Sequence, residues 1–191
     1  MAGGNPNPIR GRQDRDFYGT PSDCVRALLA VESFTGGIWE PACGDDAIVI
    51  ELRAAGYKVA GSDIHPLGTG TKADFFAVKP RKVANIVTNP PFEVAEEFIR
   101  HALAFNPDKL VLMLKASYWH AVTRQSLWHR HRPARIYPLT WRPDFMRLGR
   151  PTMEVIWCVW ERGWLWPTQY WPLLKAEADR AKPRSRAKDV L

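Results

Sequence analysis

The chain predicts an α/β fold: a seven-stranded, mostly parallel sheet with helices on both faces. Three observations carry that prediction. Short apolar runs alternate with amphipathic stretches up to about residue 139, the pattern of strand–helix–strand units. One run, Leu110-Val111-Leu112-Met113-Leu114, is apolar at every position, as a strand covered on both faces requires. Turn and cap residues stand at the joints, Gly56 after one helix and Pro90-Pro91 after one strand. With 191 residues, 46% apolar and 25% charged, the chain can bury a core within one domain and is not disordered throughout.

The elements follow in order. Residues 1–15 are rich in glycine, asparagine, proline and arginine and read as a flexible arm. Thr20-Pro21-Ser22-Asp23 reads as a helix start, with Thr20 as the cap and Pro21 in the first turn. Val25, Leu28 and Leu29 supply its buried stripe. Ile38-Trp39 forms a short strand that turns at Glu40-Pro41-Ala42-Cys43-Gly44. Asp45 can cap the next helix, which Gly56 ends. Residues 57–62 are a second strand closing on Asp63, residues 72–77 a short third, and residues 83–88 a fourth. Val94, Phe98, Ile99, Ala102 and Leu103 mark an amphipathic helix. The fifth strand is residues 109–115, and residues 119–132 read as a basic helix. Strands at 136–139 and 155–160 bring the number to seven. From Pro167 the periodicity fades, so residues 163–191 read as an aromatic and basic tail after a catalytic domain over 16–162.

Charge and cysteine usage narrow the function classes. Lysine and arginine number 27 against 20 acids, a formal net charge of +7, which suits a polyanionic partner such as nucleic acid. Cys24, Cys43 and Cys158 are odd in number and widely spaced, so no disulfide framework is expected and a reducing, cytoplasmic setting is. No run is long enough to span a bilayer, and the first sixteen residues lack the apolar stretch of a secretory signal. The five histidines have no metal-ligand spacing, so no metal is expected.

Thr88-Asn89-Pro90-Pro91-Phe92 is the stretch richest in chemistry. It follows an apolar strand at its carboxyl end, where open α/β sheets place their ligands. Proline has no amide hydrogen and restricts its predecessor to extended conformations. Two prolines after Asn89 therefore make a stiff turn, with the Asn89 amide oxygen and the Pro90 carbonyl as two fixed acceptors. Such a pair suits an amino group conjugated to a ring, whose lone pair is otherwise shared with that ring. Accepting both hydrogens favours a pyramidal nitrogen and aims its lone pair. Phe92 would stack on the ring, as for a base extruded from a duplex.

On these residues the chain resembles the S-adenosylmethionine-dependent adenine-N6 DNA methyltransferases, of the small type found in bacteriophages and prophages. Asn89-Pro90-Pro91-Phe92 is similar to the family's catalytic motif. Asp16-Phe17-Tyr18-Gly19-Thr20-Pro21 resembles its N-terminal motif, and Glu40-Pro41-Ala42-Cys43-Gly44 its cofactor loop. The resemblance implies a Rossmann-like class I methyltransferase fold, DNA as partner, and S-adenosylmethionine as cofactor with S-adenosylhomocysteine as product.

On that reading Tyr18, Thr20 and Pro21 close the cofactor site from the N-terminal side. Glu40, Pro41, Ala42, Cys43 and Gly44 form its loop, with Glu40 toward the ammonium and free amide donors near Gly44 toward the carboxylate. Asp63 stands 23 positions after Glu40, the ~20-residue spacing of a ribose-binding acid. Ile64 and Phe75 would pack on the adenine ring and Asp74 accept from its amino group. One departure is evident: Asp45-Asp46 stands where relatives often have a second glycine.

For the nucleic acid, Trp119, His120 and Arg124 interleave aromatic and basic groups, as stacking plus phosphate contact requires. A basic helix with its tryptophans in the core has the same sequence. Arg142, Arg147 and Arg150 lie in a loop resembling the arginine-proline-aromatic segment of such enzymes, and Met153 and Glu154 lie close by in sequence. This length leaves no room for a large separate target-recognition domain. Two other readings stay open: methyl transfer to RNA adenine or to a protein glutamine amide, which poses the same nucleophile problem, and an inactive DNA-binding relative.

Overall fold

A computed structural model of the chain describes residues 19–146, 149 and 151–176. The expected arm, Tyr18, Arg147, Arg150 and the stretch beyond residue 176 lie outside the described residues.

The sheet strands are β1 (Ile38–Glu40), β2 (Val59–Asp63), β3 (Thr71–Lys72), β4 (Asn85–Thr88), β5 (Lys109–Lys115), β6 (Arg135–Pro138), β7 (Val155–Glu161) and β8 (Gln169–Tyr170). They form one sheet in the order β3-β2-β1-β4-β5-β7-β6-β8. Pairing is parallel from β3 through β5. β7 runs antiparallel to both β5 and β6. Strand order reverses between β1 and β4, so the carboxyl ends of those two strands flank the crevice where such sheets bind ligands.

Helices cover both faces, as expected. α1 (Ser22–Leu29) and α2 (Ala47–Ala54) bury Val25, Leu28, Ile48 and Leu52 against Val87, Val111, Met113, Trp157 and Val159. α3 (Ala95–Ala104) and α4 (Gln125–Arg130) bury Phe98, Ile99, Ala102 and Leu127 against Ile86, Leu110, Leu112, Leu114, Ile156 and Cys158. Alternate residues of β5 thus serve opposite cores, which is why its centre is apolar without interruption. The Trp157 indole donates to the Cys24 carbonyl at 3.1 Å, pinning α1 to the sheet. Buried Glu32 gathers Lys109, Arg135 and the Tyr137 hydroxyl at the other end of β5. Burial pushes the Glu32 carboxyl up, but these partners outweigh it and hold it below the usual range. No described helix is long and apolar enough to cross a membrane.

Four local expectations are corrected. Among the described residues the sheet has eight strands: Gln169–Tyr170 pairs with β6, and beyond it Leu173 bridges to Leu139 and is buried. Two residues are too few to show a period, and this strand's signal is pairing to a distant neighbour. The expected third strand is only Thr71–Lys72, followed by a 3₁₀ turn at Phe75–Ala77 whose start is capped by Asp74. The basic helix shortens to Gln125–Arg130, preceded by 3₁₀ turns at Ala116–Trp119 and Val122–Arg124. There the Arg124 guanidinium lies over the Tyr118 ring and donates to the Tyr118 carbonyl, holding an irregular turn in place. Finally, Pro21 rather than Thr20 is the α1 N-cap residue, with no side-chain cap. The Thr20 hydroxyl is engaged elsewhere.

Candidate active site at the strand-order reversal

Asn89 follows directly on β4, and Thr20 precedes α1 by two residues. The fold brings them together across 69 positions: Asn89 Nδ2 donates to Thr20 Oγ1 at 3.1 Å. Thr20 is 7% exposed. In this arrangement the hydroxyl oxygen takes an amide hydrogen and Asn89 Oδ1 faces away from Thr20. Asn89 Oδ1 is buried and has no hydrogen-bond partner among the described residues. A buried, unpaired acceptor costs about 1–3 kcal/mol, so its retention at the crevice calls for a donor. Pro90 is buried and Pro91 exposed. Phe92 is half-buried, and Lys115 Nζ sits over its ring, 4.5 Å from the centroid. Lys115 was not singled out from the sequence. The only signal was its place at the end of β5, and β5 pairs with β4 over Asn85–Thr88.

Across the crevice, Glu40 ends β1 and is 2% exposed, with Oε2 buried and without a partner among the described residues. Burial, reinforced by Asp46, pushes its carboxyl well above the usual range. A hydrogen bond from the Val49 amide opposes this, and Asp45 and Asp63 add to the rise. A buried carboxyl with one oxygen left open, among other acids, suits a cationic donor, which would favour its charged form.

The loop after Glu40 is closely knit. Gly44 donates its amide to Asp63 Oδ2 at 2.9 Å, and His65 donates to Asp63 Oδ1 at 2.7 Å. The Asp46 amide donates to the Cys43 carbonyl at 2.8 Å, and Ala47 to Asp45 Oδ1 at 3.2 Å. Of the donors expected near Gly44, the Gly44 and Ala47 amides are therefore taken by acids and the Asp46 amide by the Cys43 carbonyl. Asp63 keeps lone pairs on both oxygens for a further donor. Burial, helped by Asp46 and Glu40, pushes the Cys43 thiol up to about 12.

The remaining sequence-derived residues divide. Pro41 is buried and Ala42 half-buried within the loop, while Ile64 is 52% exposed. Asp74 is exposed, its carboxylate accepting the Phe76 amide at 2.9 Å. Phe75 is in the core, stacked on Phe98 with centroids 4.1 Å apart. Trp119 packs on Trp128, centroids 4.0 Å apart, against the α3–α4 core. Arg124 is spent on Tyr118 as described, and His120 is exposed. Arg142 is exposed and paired with Glu154, Nη2 to Oε1 at 2.5 Å. Arg142, Thr20, Pro21 and Arg26 share the lining of a cleft of about 600 Å³. Thr69, which binds Asp46, also escaped the sequence reading, since no local pattern links positions 23 apart.

No protein-family model matches the chain, and no curated protein matches it in sequence. Solved structures do match in fold. One, from Vibrio vulnificus, is provisionally described as the modification subunit of a type I restriction enzyme: TM-score 0.59, 13% identity, 83% of this chain and 48% of that one. A second, from Listeria monocytogenes, is provisionally described as a class I S-adenosylmethionine-dependent methyltransferase: TM-score 0.57, 15% identity, 92% and 66%. A third, from Pyrococcus horikoshii, is provisionally described as an RNA methyltransferase: TM-score 0.55, 14% identity, 75% and 85%. This chain spans about half the length of the first and about two thirds of the second. The likeness shows the fold, that of the Rossmann-like class I methyltransferases.

Proposed function

We propose that the protein is an S-adenosylmethionine-dependent methyltransferase acting on the N6 amine of adenine in DNA. The observation that carries this reading is the buried Asn89 Oδ1, without a partner among the described residues, on an amide held by Thr20 at the carboxyl end of β4.

The residues present fit the cofactor. Glu40 Oε2 is a buried acceptor without a partner among the described residues, suited to the ammonium of the methionine moiety. Asp63 retains acceptor capacity for ribose hydroxyls. Gly44 contributes close approach rather than a free donor, since its amide already serves Asp63. When bound, S-adenosylmethionine supplies a methyl group made electrophilic by a sulfonium.

The chain's own residues then prepare the nucleophile. Asn89 Oδ1 and the Pro90 carbonyl accept the two N6 hydrogens, drawing the nitrogen out of conjugation with the ring and directing its lone pair. Burial strengthens those hydrogen bonds by lowering the local dielectric. Phe92 offers a face for the extruded base. Lys115, which lies over the Phe92 ring, is a cation for phosphate that a stacking base would displace. Net charge of +7 favours a nucleic acid over a protein substrate.

The test is incubation with methyl-labelled cofactor and, separately, duplex DNA, single-stranded DNA and RNA, followed by digestion to nucleosides. Label in N6-methyldeoxyadenosine is expected. Label confined to RNA would replace DNA by RNA as substrate, and no label in any arm would overturn the proposal.

A further inference from the structure

Asp46 belongs to the pair Asp45-Asp46 that stands where the resembled family often has a second glycine, and the structure gives a physical reason for either residue type at Asp46. Its φ is 65° and ψ 17°, the left-handed region, which glycine adopts freely and aspartate tolerates better than most side chains. Backbone geometry alone would therefore favour glycine. What the carboxylate adds is a bond to a segment 23 positions away: Asp46 Oδ2 accepts from both the Thr69 hydroxyl, at 2.7 Å, and the Thr69 amide. Asp46 is 3% exposed.

Thr69 lies in the segment between β2 and β3, and that segment is laid flat on the loop after β1. Leu67 and Gly68 both donate to the Gly44 carbonyl, at 2.9 and 3.2 Å. A Cβ at Gly68 would collide with the Asp46 carboxylate, and one at Gly70 with Cys43 Sγ. The segment begins at Asp63, which accepts the Gly44 and His65 amides. It is thus fastened at its start by Asp63, at its middle by the Gly44 carbonyl and at its end by Asp46. Burial pushes the Asp46 carboxyl up, but Thr69's two bonds, with the Cys43 thiol and Arg53, outweigh it and hold the group below its ordinary range, as expected of a carboxylate engaged as an anion.

From this arrangement we infer that Asp46 is a positioning residue for the nucleoside end of the cofactor site: through Thr69 it straps residues 64–70 over the loop at Gly44 and so fixes Asp63. The inference rests on the proposed cofactor use and concerns only cofactor affinity, not the methylated substrate. Losing a charge-assisted hydrogen bond should cost about tenfold in affinity.

Three variants separate the strap from backbone geometry and from charge. Asp46→Gly keeps the left-handed conformation and loses the strap. Asp46→Asn keeps a side-chain acceptor for the Thr69 amide. Thr69→Val removes the hydroxyl from the other side. Calorimetry with S-adenosylhomocysteine and amide hydrogen exchange of the free protein are the readouts. In Asp46→Gly, affinity should weaken about tenfold while kcat at saturating cofactor holds, and the Leu67, Gly68 and Thr69 amides should lose protection. Asp46→Asn should recover most of both. Thr69→Val should be non-additive with Asp46→Gly. Wild-type protection at Leu67–Thr69 in Asp46→Gly, or strict additivity, would overturn the inference. A protein that binds the product tightly but methylates no DNA would sink the proposed substrate alone, with the strap still judged by exchange and affinity.

Discussion

Replacing Thr20 by valine separates two roles that the sequence cannot distinguish. The resemblance places Thr20 at the cofactor; the structure places its hydroxyl on Asn89 Nδ2 at 3.1 Å. Valine keeps the shape and removes the acceptor. A neutral hydrogen bond of this kind is worth about 1 kcal/mol net, about fivefold in how firmly the Asn89 amide is held in place at the crevice. Without it the amide turns more freely, and its flipped form presents a donor to a donor. Single-turnover methyl transfer with cofactor and DNA both saturating should slow about five- to tenfold. Affinity for S-adenosylhomocysteine, read by calorimetry, should be unchanged. The amide hydrogens left unpaired should also lower Tm by about 2–4 °C per kcal/mol for a chain of this size. An unchanged single-turnover rate would refute the reasoning. So would a loss confined to cofactor affinity, which would return Thr20 to the cofactor.

Two further outcomes follow from the electrostatics. Glu40's folded pKa lies above its unfolded one, so its contribution to stability is full below the ordinary carboxylate range and is lost as pH rises through the folded pKa. Glu40→Gln should therefore flatten that loss, raise the Tm of the free protein at neutral pH and weaken cofactor binding; a lower neutral-pH Tm would contradict this account. The Arg142–Glu154 pair is 56% and 63% exposed and so is weakly held, leaving the guanidinium able to exchange its carboxylate for a phosphate. Arg142→Ala should reduce the slope of log K against log salt for DNA by about 0.9, and an unchanged slope would remove Arg142 from the interface.

Much of the sheet was legible because strands of this kind write their burial into the sequence. Strand β5 is found with the bounds its unbroken apolar run predicts, and the helices on both faces follow from the alternation with Ile48 and Leu52 on one side and Phe98 and Ile99 on the other. What sequence could not give depends on partners far along the chain. Strand β8 exists through pairing with β6. The helix expected over 119–132 is shortened by Trp119 packing on Trp128 and by Arg124 reaching back to Tyr118. At the site, the Asn89 motif declared itself through proline's fixed geometry, whereas its orienting partner is 69 positions away. The missing second glycine was visible as an anomaly. Its explanation, a left-handed aspartate bonded to Thr69, required the fold.

The central claim is that Asn89 Oδ1 is the acceptor that prepares the substrate amine. Methyl transfer to adenine in DNA by Asn89→Ala, measured with saturating labelled cofactor beside calorimetry of S-adenosylhomocysteine, tests it most directly. Removing one acceptor aimed at the reacting nitrogen should lower kcat by about 100-fold or more with product affinity unchanged. Turnover within a few-fold of the parent protein would contradict it.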